Sequence, residues 1–220
     1  MEKKLIVEIA EGLGNQLFMY AHAFSMAKKL NYDLFIDHKS AYSLKKNTLR
    51  NHQKYMLHSF NISQNYAPSK YIYNTEVKRI LKKIAIFIDY MKDRKNFFIE
   101  KNIKINNSKK VKNYNNLSEY NFSNNIYVQG NYENYRYFDQ YKEELSKLFV
   151  SKKELINHDR SIIDKLSSCN SISIHIRRNR FSDQIGLTDT MKNQEKSDFF
   201  TNQIINYVNK SIHFIEEKVQ

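Results

Sequence analysis

A single cysteine among 220 residues excludes a disulfide-stapled scaffold, and one proline with four glycines excludes collagen-like and proline-rich linker architectures. Long apolar runs are missing as well. No stretch approaches the roughly 18 uncharged residues that a membrane-spanning helix needs. The first apolar run, Leu5 to Ile9, is interrupted by Glu8, is too short for a signal-peptide core and has no small-residue cleavage site after it. Export is therefore not expected. The chain reads as cytoplasmic, with Cys169 a reduced thiol buried as a small filler just before an apolar run. The histidines at 22, 38, 52, 58, 158 and 213 lack metal-ligand spacing with any cysteine or carboxylate partner, and no Gly-x-Ser-x-Gly signals a serine nucleophile. No metal site is expected.

What is present is the composition of a folded protein. With 41% hydrophobic, 14% aromatic and 27% charged residues, the chain has enough apolar surface to offset its ordering entropy. Its length fits one large domain or two small ones. The formal charge of +13 is unevenly spread, because residues 61–112 carry 13 Lys/Arg against 4 Asp/Glu. Within that segment Val77, Ile80, Leu81, Ile84, Ile88 and Met91 recur at helical spacing with the lysines largely opposite. The pattern predicts a basic amphipathic helix. Three readings stay open for it: a core-facing helix with a solvated cationic face, attachment of residues 77–92 to an anionic membrane surface, or contact with nucleic acid.

Leu5 to Ile9 reads as a short strand, Gly12-Leu13-Gly14 as a turn, and Asn15 opens a segment in which Leu17, Tyr20, Phe24, Ala27 and Leu30 follow the 3.6-residue period. A further strand is expected over Asp33 to Asp37, which makes a β-α-β unit and predicts a parallel sheet. Ile126-Tyr127-Val128 resembles another strand, and Tyr137 to Phe149 carries a helical stripe. Ser171 to Ile176 alternates strictly and ends in the charged turn Arg177-Arg178-Asn179-Arg180. The chain then finishes with an amphipathic helix from about residue 197 to 217, with Phe200, Ile204, Val208, Ile212 and Ile215 on one face.

Two loops carry chemistry. In open parallel sheets ligands bind at the carboxyl ends of the strands, where both loops belong. Gly12-Leu13-Gly14-Asn15-Gln16 lacks the third glycine of a dinucleotide fingerprint and the Gly-Lys-Ser/Thr of a P-loop. Its glycines permit close approach of a ligand, and its helix-start amides offer an anion site. Asn15 and Gln16 are suited to donate to sugar hydroxyls or phosphate, or Asn15 merely caps the helix. In the second loop His175 and Arg177 fall on the same side of a strand. Arginine grips phosphate oxygens with two fixed donors, so this pair is suited to a departing diphosphate.

Four segments in order, Gly12 to Ala21, Lys54 to Ile62, Gln129 to Phe138 and Ser173 to Arg178, resemble the bacterial α-1,2-fucosyltransferases of glycosyltransferase family 11. The resemblance implies an α/β fold of GT-B type. It further implies GDP-fucose as donor, a galactose-terminated glycan as acceptor, inversion at the anomeric carbon, surface-polysaccharide synthesis, and neither cofactor nor metal. On that basis Arg177 is the expected partner of the donor β-phosphate, with His175 and Arg178 shaping the site. Gly12, Gly14, Asn15 and Gln16 are the expected opposite wall of the cleft.

The chain departs from the family pattern in having Asn179-Arg180 where Gly-Asp usually follows the arginines, leaving Asp183 as the nearest acid. A Rossmann-like acceptor-side domain is expected over residues 1–165. A donor-side domain should begin at 166 and be incomplete, since the family's later strand and Ser-Asp-Asp-like element do not follow. For the general base only Glu8, Glu11 and Asp183 are near the loops. The rival from another class is a non-enzymatic basic protein binding RNA or anionic lipid through residues 70–112, though no aromatic RNA-binding consensus is present. An inactive remnant of the transferase is the third reading.

Overall fold

The computed structural model describes residues 2–43, 54–100, 103–105, 108–110, 117–152, 157–169 and 190–219. They form two compact units, residues 1–154 and 155–220, where the sequence pattern puts the division near 165.

The first unit begins with strand β1 (Lys4–Glu8), helix α1 (Leu13–Leu30) and strand β2 (Asp33–Asp37), with β1 and β2 parallel as the β-α-β pattern requires. Asn31 ends α1 in the left-handed conformation, φ 58°, and the Tyr32 amide folds back to the Ala27 carbonyl at 2.9 Å. Helix α2 (Glu76–Tyr90) follows, its first turn capped by the Thr75 hydroxyl, which accepts from the Lys78 amide. Then come β3 (Lys95–Ile99), the antiparallel pair β4 (Ile103–Ile105) and β5 (Ser108–Lys110), strand β6 (Phe122–Gln129) and helix α3 (Lys142–Leu148). The main sheet has the order β2-β1-β6-β3, and each neighbouring pair in it is parallel. Sequence periodicity misses β3, whose five residues lie in the Lys- and Asn-rich middle without turn signals around them.

The pleat sends alternate side chains of each strand to opposite faces, and the two faces differ in kind. On one, Leu5, Val7 and Ile9 join Ile36, Ile126 and Val128 in an apolar layer closed by Met19, Ala23, Met26 and Ala27 of α1. Full burial of each such large aliphatic side chain contributes about 1.5–3 kcal/mol. The other face carries Glu8, Asp37 and Tyr127 and is covered by α2. Its contacts there are polar: Lys82 Nζ reaches Glu8 at 2.6 Å, and the Asp89 carboxylate accepts from the Asn96 and Phe97 amides at 2.8 and 3.1 Å.

That arrangement corrects the reading of α2 as a core-facing helix with a solvated cationic face. Lys82 and Asp89 are its buried residues, while Val77, Ile80, Leu81, Ile84, Phe87, Ile88 and Met91 are exposed. The physical reason is the sheet. A buried carboxylate without a partner costs more than an exposed isoleucine, so the cationic face turns inward to Glu8.

The second unit holds α4 (Asn157–Ser167) and α5 (Thr190–Val219), the latter longer than its pattern suggests. Ile204, Val208 and Ser211 are half-buried, whereas Tyr207 and Ile212 are exposed. Cys169 is exposed rather than buried, because it follows the last turn of α4 on a stretch whose side chains all face solvent. Its thiol donates to the Lys165 carbonyl at 3.2 Å.

Candidate functional site

The carboxyl ends of the sheet strands gather the loop after β1 with the acidic ends of β1 and β2. In that loop the strained residue is Glu11, which takes φ 61° although it has a side chain. Two hydrogen bonds to its carbonyl hold it there, from Gln16 Nε2 at 2.9 Å and from the Tyr42 hydroxyl at 3.2 Å. Gln16 is wholly buried. Its amide also donates to the Lys54 carbonyl at 2.8 Å and accepts from the Met56 amide at 2.9 Å, so every polar atom of that side chain is engaged inside the fold. Gln16 therefore ties the first of the four family-like segments to the second, a physical reason for their joint occurrence. Asn15 does not cap α1: the cap position is Gly12, with no side-chain bond, and Asn15 Nδ2 donates to the Glu11 carboxylate.

The glycines present a different puzzle. Gly12 has φ −82° and ψ 169°, which any residue adopts, and Gly14 lies within the helix. Among the described residues, a Cβ on either would meet nothing within 4 Å. Neither backbone conformation nor packing calls for glycine at these positions, and in the helix Gly14 is unfavourable by roughly 0.5–1 kcal/mol relative to alanine. Close approach of a ligand is the physical demand that remains. Gly130 is the opposite case, with φ 153° and a Cβ that would lie 2.3 Å from that of Glu100, whose carboxylate accepts from the Asn131 and Tyr132 amides. In that third family-like segment the fold itself requires Gly130, while Gln129 joins Glu8 in lining a cleft.

Beside the loop lies a buried polar cluster. Glu8 and Asp37 are register partners on neighbouring strands, and the Tyr127 hydroxyl sits 2.7 Å from a Glu8 oxygen and 2.6 Å from an Asp37 oxygen. Burial, then the charges of Glu8 and Asp37, push the Tyr127 phenol far above its usual range. Asp37 also accepts from the Lys39 and Ser40 amides at 3.1 and 3.0 Å, and Lys82 lies 4.3 Å from the Tyr127 ring centre. Arg79 donates to the Ser40 and Tyr73 carbonyls at 2.5 and 3.2 Å. Above the cluster opens a cleft of about 500 Å³ whose lining includes Glu8, Glu11, Ser40, Tyr73, Arg79 and Lys82. Its carboxylates, hydroxyls and cations beside the Tyr73 ring offer the donors and acceptors that a sugar takes.

Of the residues singled out by sequence, Gly12 ends the β1–α1 loop and Gly14, Asn15 and Gln16 follow it in the first turn of α1. His175, Arg177, Arg178 and Asp183 lie outside the described residues. Sequence reasoning named Glu8 only by proximity and missed Asp37, Tyr127, Arg79 and Lys82. The available signal was an acidic residue closing each strand of the β-α-β unit on the same side of the pleat.

No family model matches the chain, and no solved structure matches it. It is 29% identical over 182 residues to an alpha-1,2-colitosyltransferase of Escherichia coli, an alignment that covers 79% of this chain and 54% of that protein. This chain is related to a glycosyltransferase. It spans about half the length of the curated relative that it matches. Its parallel four-stranded α/β sheet is compatible with a Rossmann-like glycosyltransferase. Among the described residues no helix is long and apolar enough to cross a membrane.

Proposed function

We propose that this chain is the acceptor-side portion, with the start of the donor side, of a GT-B glycosyltransferase that moves fucose from GDP-fucose to the 2-hydroxyl of a galactoside in surface-glycan synthesis. The observation that carries the reading is the cleft of about 500 Å³ at the carboxyl end of β1, lined by Glu8, Glu11, Ser40, Tyr73, Arg79 and Lys82, with the glycines Gly12 and Gly14 following Glu11 in the chain and leaving open space among the described residues. The similarity to a curated glycosyltransferase supports the same class of chemistry.

In this reaction the acceptor hydroxyl oxygen attacks the anomeric carbon as its proton passes to a base, the bond to the diphosphate breaks, and the stereochemistry inverts. Arg177 neutralises the charge that develops on the leaving GDP, His175 and Arg178 bind with it, and Asn15 of the glycine loop contacts the substrate. Positive charge from arginine takes the part that a bound cation plays elsewhere, so EDTA leaves the rate unchanged.

A second donor is favoured by the activity of the relative. Colitose is fucose without its 3-hydroxyl, and a pocket that hydrogen-bonds that hydroxyl rejects the deoxy sugar strongly. Calorimetric titration with GDP, GDP-fucose, nucleotide-activated colitose and a short RNA tests the reading. Binding of GDP and one of the two sugar nucleotides, lost in Arg177→Ala and only partly regained in Arg177→Lys, is the expected result. RNA binding without GDP binding overturns it in favour of the basic binding protein.

A further inference from the structure

The outward face of α2 has no role in the cleft. At 3.6 residues per turn its seven apolar side chains fall within roughly 120° of the helix circumference. Val77 is 67% exposed, Phe87 73% and Met91 77%. The helix cannot simply roll this stripe onto the sheet, because its other face is fastened there by Lys82 to Glu8, by Asp89 to the Asn96 and Phe97 amides, and by Arg79 to the Ser40 carbonyl. The stripe is held outward by construction of the opposite face.

We propose that this face is a docking surface for an anionic lipid bilayer. Charge selects that occupant. The exposed side chains on and next to the helix include Lys70, Lys83, Lys92 and Arg94 against Glu76 and Asp93. A second copy of the chain would bring the same positive rim against itself, which opposes association. Nucleic acid would satisfy the lysines and leave the apolar stripe wet. A bilayer with anionic headgroups takes both, with Ile80, Ile84 and Phe87 entering the acyl boundary and the lysines remaining at the phosphates. The inference is independent of the proposed transfer reaction.

The chain contains no tryptophan, so Phe87→Trp introduces a single fluorescent reporter at the edge of the stripe. With vesicles of phosphatidylcholine and phosphatidylglycerol in 2:1 ratio at low salt, Trp emission shifts to the blue and the wild-type chain sediments with the lipid. Both effects reverse at about 0.5 M salt, where screening is short-ranged. The triple substitution Ile80→Ser, Ile84→Ser, Phe87→Ser lowers vesicle binding roughly tenfold or more while the melting temperature stays put, since the removed side chains face solvent. Absence of the blue shift, equal binding to pure phosphatidylcholine, or unaltered binding by the triple variant overturns the proposal. So does a wild-type dimer in sedimentation velocity that the triple substitution dissociates.

Discussion

The two faces of one four-stranded sheet are built on opposite principles. Against α1 the contact is apolar and close, with Leu5, Val7, Ile126 and Val128 at 0 or 1% exposure. Against α2 the same strands present Glu8, Asp37 and Tyr127, the helix answers with Lys82, and clefts of about 370 to 500 Å³ remain around it. The first face supplies stability that does not depend on ligand. The second places charge in low dielectric, where a bound polar molecule is felt strongly. Stability and chemistry are thus divided between faces rather than along the chain.

Leu5→Ala on the α1 face removes a fully buried side chain from a layer that cannot collapse around the gap, so denaturant unfolding should show a loss of about 4 kcal/mol. A loss below about 1 kcal/mol would erase the contrast between the faces. Tyr127→Phe on the α2 face removes the hydroxyl between Glu8 and Asp37 and leaves two carboxylates facing each other, at a cost of about 2 kcal/mol. Glu8→Gln in that background should lower stability further, because it leaves the buried Lys82 ammonium without its carboxylate partner.

A third difference appears with pH. His22 stacks on Tyr132 at 3.8 Å on the α1 side, and burial, then the charge of Lys29, push its pKa from 6.5 to about 3. The unfolded chain binds a proton below pH 6.5 and the folded one does not until about pH 3, so this contribution is complete above 6.5 and is lost as the pH falls through that window. Stability should decline by about 1.4 kcal/mol per pH unit there, and His22→Phe should flatten the slope. An unchanged slope in the variant would mean that other groups govern acid unfolding.

The β-α-β unit was legible because its signals are local: apolar runs of five residues, a glycine turn, and a 3.6-residue period ending at Asn31. The face that α2 turns inward was not. Periodicity says which residues share a helix face, but the choice between Lys82 and Ile84 was made by Glu8, 74 positions away in sequence. The glycine loop was legible as a site by its position, yet the division of labour within it was not. Gln16 looks like a donor for ligand and serves as a strut to Lys54 and Met56, while the left-handed conformation falls on Glu11 instead of on a glycine. Asp37 and Tyr127 were hidden because their partnership needs the register of three strands, which no short motif encodes.

The smallest expected change in stability bears most directly on the assignment of the glycine loop as a ligand site. Gly14 lies in a helix with open space where a Cβ would stand, so Gly14→Ala should stabilise the fold by about 0.5–1 kcal/mol. If that space is kept for a ligand, the same methyl group should lower the affinity for GDP-fucose in calorimetry. A higher melting temperature together with weakened sugar-nucleotide binding is the result this account predicts. A higher melting temperature with unchanged binding would contradict it and leave the glycine loop without a ligand.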